Sequence, residues 1–258
     1  MNYNINKIAL FFIVFEICNY SQIIAQNSFG LGFYTFFTPA ETFKHNEVNG
    51  YARAYSAPII DFAYRLEYTK QLKKNVSLDA NFMSGLYPID YIVAYDKTFS
   101  ILNFPNDDYS IYRGASSYNS IGLGIAYSKK FSEKHSFSVR LNTNLVYFYR
   151  SPHNYTMHYL NENGDIIKIF EAKATTNLNR KFILAPELSL RYHYRPLGKK
   201  YSFYASFNGT YTNKYPMKGN YTLFGKSENL QGEFERRFAQ TGLEIGMKLD
   251  ASKSRQTN

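Results

Sequence analysis

The sequence predicts an all-β fold: an eight-stranded antiparallel transmembrane β-barrel with short turns at one end and long loops at the other. Three observations carry this reading. Stretches of ten or so residues alternate apolar side chains with small or polar ones, the period of a strand whose two faces meet different media. Three short basic turns recur at intervals of roughly sixty residues, while the other connections are long and irregular. The turns are Leu72-Lys73-Lys74-Asn75, Ser132-Glu133-Lys134-His135 and Pro196-Leu197-Gly198-Lys199-Lys200. Past the N-terminus, no apolar run approaches the ~18 residues that a spanning helix needs.

The first strand is expected over about Phe29 to Phe37 and the second over Pro58 to Lys70. The third runs from Val76 to Leu86 and the fourth from Asn119 to Phe131. The fifth, Ser136 to Arg150, alternates most clearly: Val139, Leu141, Leu145 and Tyr147 share one face, and Ser138, Arg140, Asn142 and Asn144 the other. The sixth, Lys181 to Tyr194, sets Leu188, Leu190 and Tyr192 against Glu187, Ser189 and Arg191. The seventh spans Tyr201 to Thr212, with Phe203 and Phe207 on its apolar face. The eighth, Phe234 to Leu249, sets Leu243 and Ile245 against Gly242, Glu244 and Gly246. About ten residues rising ~3.3 Å each, tilted ~45°, cover roughly the 25 Å apolar band of an outer membrane. Leu141, Leu145, Leu188, Leu190, Phe203, Phe207, Leu243 and Ile245 are therefore expected to face lipid.

The four remaining connections run from about Thr38 to Ala57, Tyr87 to Tyr118, Ser151 to Arg180 and Asn213 to Glu233. Loops of this length argue against a compact soluble domain but fit the external loops of a membrane barrel. A soluble sandwich or lipocalin-like barrel, with the aliphatics packed inside, is the alternative fold.

Residues 1–25 read as a secretory signal. Lys7 supplies a positive start, Ile8 to Phe15 an apolar stretch, and Ala25 a small residue at the expected cleavage point. The barrel would then occupy residues 26–250, and residues 251–258 form a polar tail. The single cysteine, Cys18, would leave with the signal, so no disulfide or thiol chemistry is expected. A net charge of +10 raises nucleic-acid binding, but export and the placing of cations at turns argue against it. The turn lysines instead suit solvent or anionic lipid headgroups. Tyr 25, Phe 22 and Trp 0 give an aromatic fraction of 18%, and tyrosine fits a membrane–water boundary.

One face of the strands carries Asp61, Arg65, Glu67, Asp79, Arg140, Glu187, Arg191 and Glu244, with Lys248. These are expected to form a polar network in the lumen, because unpaired buried charge is costly. The pairs Gly30/Gly32 and Gly122/Gly124 lie inside strands and lack the third glycine and helix of a dinucleotide loop. They are expected to make room for bulky lumen side chains. Ser151, His153, His158, Glu162 and Asp165 share the third long connection and hold the ingredients of a lipid hydrolase, but spacing fixes no geometry. His45, His153 and His158 show no metal-ligand spacing. No catalytic residue, cofactor or metal is therefore expected. Tyrosines and aspartates crowd the second long connection (Tyr87, Tyr91, Tyr95, Asp107 and Asp108 among them), which suits protein or glycan binding or packing on the rim.

The signal, the four hairpins and the closing segment Thr241-Gly242-Leu243-Glu244-Ile245-Gly246-Met247-Lys248-Leu249 resemble small bacterial outer-membrane β-barrel proteins. The pattern is similar to the porin-like barrel domain of the Bacteroidetes type, with OmpA/OmpX-like architecture. The resemblance implies the cell outer membrane, outer-membrane lipids as neighbours, and a non-enzymatic structural or surface-interaction role. A narrow solute channel and a lipid-modifying enzyme are its alternatives. Where classical barrels end on an aromatic residue, this chain continues through Ala251-Ser252-Lys253 to Asn258.

Overall fold

The computed structural model describes residues 27–38, 42–45, 52–55, 59–95, 110–149, 152–160, 163–176, 182–225 and 229–251. The expected signal (1–25) and nearly all of the polar tail lie outside the described residues.

Eight strands close on themselves: β1 (Asn27–Thr38), β4 (Ile59–Lys73), β5 (Val76–Tyr95), β6 (Ser110–Lys130), β7 (His135–Phe148), β10 (Ile183–Tyr194), β11 (Tyr201–Tyr211) and β14 (Ala239–Asp250). Each pairs antiparallel with its neighbour, and β14 returns to β1 in a register running from Ser28↔Asp250 to Phe37↔Thr241. Closure pairs every strand on both sides, which leaves no open edge among the eight. The three short turns cluster at one end, where the first and last strands also meet through Ala251 N–H to the Asn27 carbonyl at 2.8 Å. Gly198 takes φ 69° in the third turn, a left-handed conformation that a side chain disfavours.

The alternation read from the sequence is the alternation of faces. Leu141, Leu145, Leu188, Leu190, Phe203, Phe207, Leu243 and Ile245 all point outward, between 39% and 65% exposed. The alternative fold, with these aliphatics inside a core, is therefore excluded.

The expected long loops are in large part folded. A second, five-stranded antiparallel sheet, ordered β2-β13-β12-β9-β8, stands at the end opposite the short turns. Its strands are β2 (Thr42–His45), β8 (Pro152–Leu160), β9 (Ile166–Thr176), β12 (Met217–Phe224) and β13 (Asn229–Arg236). β3 (Ala52–Tyr55) pairs with the far half of β5, which extends beyond the barrel alongside β6. A shared apolar core joins the two layers, with Met157, Phe170, Met217, Leu223 and Phe234 from the sheet against Ala54 of β3 and Val93 of β5. Three expected boundaries are corrected. The third and fourth strands run on to Tyr95 and back to Ser110, because their polar-aromatic sequence pairs outside the barrel. The eighth strand begins at Ala239, since Phe234 belongs to β13 and Phe238 turns inward, where its carbonyl takes the Thr212 N–H at 3.0 Å.

The core beneath the second sheet is distinct from the aromatic cluster inside the barrel and should fail separately from it. Phe170→Ala removes a fully buried ring at an expected cost of about 3–5 kcal/mol. Limited proteolysis of the refolded protein should then cut within β8, β9, β12 or β13, while the barrel keeps its heat-modifiable gel mobility. Simultaneous loss of both would show one cooperative unit.

Candidate functional site

Strand alternation sends four cations and four carboxylates into one interior: Arg65, Arg140, Arg191 and Lys248 with Glu67, Asp79, Glu187 and Glu244, each at most 8% exposed. Arg65 bridges Glu187 at 2.6 Å and Glu244 at 3.1 Å. Arg191 joins Glu67 at 2.9 Å and Glu244 at 3.3 Å. Arg140 joins Glu67 at 2.6 Å and Asp79 at 2.9 Å, and Lys248 also pairs with Glu67. Each carboxylate thus meets at least one cation, and the charges sum to zero. Neutral donors fill remaining lone pairs: Asn142 and Asn144 on Glu187 at 3.0 and 3.2 Å, and Tyr204 and Asn208 on Glu244 at 2.8 and 3.0 Å. The Arg191 guanidinium also lies over the Tyr204 ring, 3.8 Å from its centroid. Desolvated ions persist only when paired and hydrogen-bonded in this way.

Of the residues expected in the lumen, Asp61 stands apart. It lies half-buried on the inward face, accepts the Phe62 N–H at 2.7 Å, and enters none of the described ion pairs. Its position near the loop end of β4 keeps it beyond reach of the network. The glycines make the room expected of them. A methyl on Gly32 would meet Glu244 Oε1 and the Tyr204 hydroxyl at 2.4 Å, and one on Gly122 would meet Asn144 Oδ1 at 2.0 Å.

Toward the folded loops the lumen changes from ionic to aromatic. Tyr87, Tyr118, Phe148 and Phe238 pack with centroids 5.2 to 5.8 Å apart, several edge to face. The Tyr87 hydroxyl donates to the Arg237 carbonyl, and Tyr118 exchanges hydrogen bonds with Gln240 at 3.1 and 3.3 Å. Sequence reasoning missed this plug, although Val146 and Phe148 continue the inward face of β7 and so mark where that face turns apolar.

The candidate hydrolase residues that are described, His153, His158 and Asp165, do not converge. His153 and His158 lie five residues apart on β8, roughly 16 Å of strand. Asp165 lies in the turn beyond, and Ser151 and Glu162 fall outside the described residues. Partial burial lowers the His153 pKa, favouring the neutral ring. His45 belongs to β2 at the opposite edge of the sheet, four strand spacings or roughly 19 Å away. No metal-holding cluster of His, Cys, Asp or Glu occurs among the described residues. Of the second-connection aromatics, Tyr87 enters the plug and Tyr91 and Tyr95 lie on β5, while residues 96–109, with Asp107 and Asp108, fall outside the described residues. On the second sheet, hydrogen bonds from Lys168 and Lys173 lower the Glu171 carboxyl to about 2, so this exposed cluster stays ionised in all but strong acid.

No protein-family model matches the chain, and no curated protein sequence matches it. Among solved structures it is similar to Neisserial surface protein A, at 8% identity over 86% of this chain and 96% of that one, with a TM-score of 0.40. It is also similar to the outer membrane protein OprG from Pseudomonas aeruginosa, at 11% identity over 88% and 97% of the two chains, TM-score 0.42. The outer membrane protease OmpT from Escherichia coli matches at 10% identity over 89% and 97%, TM-score 0.42. At such values it is the closed strand pairing, and not the likeness, that carries the assignment of a barrel.

Glu187→Ala leaves Arg65 short of its closest partner, and breaking a buried pair costs about 3–5 kcal/mol. Gly32→Ala, which drives a methyl into Glu244 and Tyr204, should cost about 1–3 kcal/mol. Urea unfolding of the vesicle-reconstituted barrel reads both. A Glu187→Ala midpoint equal to wild type would show that the network contributes nothing to stability.

Proposed function

We propose that the chain is a non-enzymatic barrel of the bacterial outer membrane whose role is to hold its second sheet at the cell surface. One observation carries this reading: the lumen is closed twice, by a charge-balanced ion network and by an aromatic plug, directly beneath a folded five-stranded sheet. Water-filled channels need continuous polar space, and here the carboxylates of the network are each paired with a cation while the loop end of the lumen is aromatic. The outward belt of exposed leucine, isoleucine and phenylalanine is the surface that a bilayer covers, which supports membrane residence with outer-membrane lipids as neighbours. Short basic turns then face the periplasm and the second sheet faces outward. A rigid sheet on a sealed base suits recognition of an external protein or glycan. The similarity to the Bacteroidetes porin-like barrel domain belongs to this proposal and rests on sequence pattern alone.

Three measurements test it. Purified protein in planar bilayers should show no steady conductance, and a nanosiemens-range open state from wild-type monomer would replace the reading with a channel. Cysteines introduced at Asn163 and at Lys134 should label on intact cells at the first position only; the reverse would invert the topology. Leu188→Arg should cost about 2–4 kcal/mol in lipid if that site lies near the midplane.

A further inference from the structure

Beneath the ion network, at the end that carries the short turns, the barrel opens into a cavity of about 300 Å³. Six cations line it, Lys74, Lys130, Lys134, Arg140, Arg195 and Lys248, against three carboxylates, Asp79, Glu133 and Asp250. Two of those carboxylates are already engaged. Asp79 accepts from Arg140 Nε at 2.9 Å and Thr69 Oγ1 at 2.7 Å, and Asp250 pairs with Arg195 at 2.6 Å. Glu133 is left to offset Lys74, Lys130 and Lys134, all exposed around the mouth. Between mouth and floor the wall is hydroxylic, with Thr69, Ser77, Ser138 and Ser202 each buried. On the floor, Arg140 keeps its buried Nη2 without a hydrogen-bond partner among the described residues.

The surplus of lysines at the mouth, the serine hydroxyls along the wall and an unused guanidinium N–H together supply the chemistry that holds a tetrahedral oxyanion. The wall and floor are recessed, so solvent and salt screen the guanidinium there less than the exposed lysines at the mouth. It also lies apart from the external sheet, and its ligand would enter from the short-turn side. We propose that this vestibule binds a phosphate group, either free or carried on the headgroup of a phospholipid at the rim.

The test uses the full chain in octyl tetraoxyethylene micelles, which carry no phosphate, titrated with inorganic phosphate and followed by calorimetry. Saturable binding is expected, weakened about tenfold or more by Lys130→Gln combined with Lys134→Gln, because two charge-assisted contacts are lost. Both lysines are exposed, so the variant should keep the wild-type gel mobility and melting temperature. Ser138→Ala should weaken binding as well, and glucose should not bind. Nanodiscs containing phosphatidylglycerol separate the two sources. A loss of phosphate affinity there identifies the headgroup as the ligand, and unchanged affinity identifies free phosphate. Absence of saturable binding to wild type, equal binding by the folded double variant, or glucose binding as tight as phosphate would each overturn the proposal.

Discussion

An eight-stranded barrel has an interior too narrow for a water column, so every inward charge must find its opposite within arm's length. The rest of the structure follows from that constraint. It explains why inward glycines stand opposite the longest inward side chains: Gly32 beside Glu244, Gly122 beside Asn144. It explains the hydroxyl and amide neighbours of each carboxylate, which occupy lone pairs that no cation reaches. It also decides what the outer face can be. With all eight network charges inside, the remaining positions along each strand are free to be aliphatic or aromatic, and they are.

The same constraint divides the lumen along its axis. Where the inward residues are charged they interlock, and where the strands approach the second sheet the inward residues become Tyr34, Phe36, Tyr87, Tyr118, Val146 and Phe148. That change gives the sheet above an apolar floor. Arg236, buried at the junction, lies over the Tyr87 ring at 4.7 Å, and its neighbour Arg237 bonds Tyr211 and Tyr215 at the outside rim. Barrel and sheet are therefore coupled through side chains as well as through the backbone of β5 and β6.

Much of this was legible in the sequence. The eight strands, the short-turn end, the outward belt and eight of the nine charges expected in the lumen follow from period-2 alternation, because a one-residue step in a strand changes face. Asp61 shares the inward face but enters none of the described ion pairs, because parity gives the face and not the depth. The second sheet was missed for a different reason. Its strands are short and interrupted, and length alone made those segments look like loops. One local signal was available: Asn163-Gly164 between Tyr159 and Ile167, where Gly164 takes φ 85°, is the dipeptide of a tight hairpin. The aromatic plug needed tertiary information, since Phe238 reaches it by leaving the strand pattern.

The ion network also constrains the order of assembly. Glu244, on the last strand to be synthesised, is the partner of Arg65, 179 residues earlier, and of Arg191. Until β14 arrives, Arg65 and Arg191 each lack one of their two anions, and both β1 and β11 present open edges. A half-built barrel therefore gains little from entering a bilayer, since hydrocarbon tolerates neither condition. Contacts of such long sequence separation make folding slow, and closure comes as the final, committed step. The charges that seal the finished lumen thus also tie the two ends of the chain together, since Glu244 on the last strand completes pairs with Arg65 on the second.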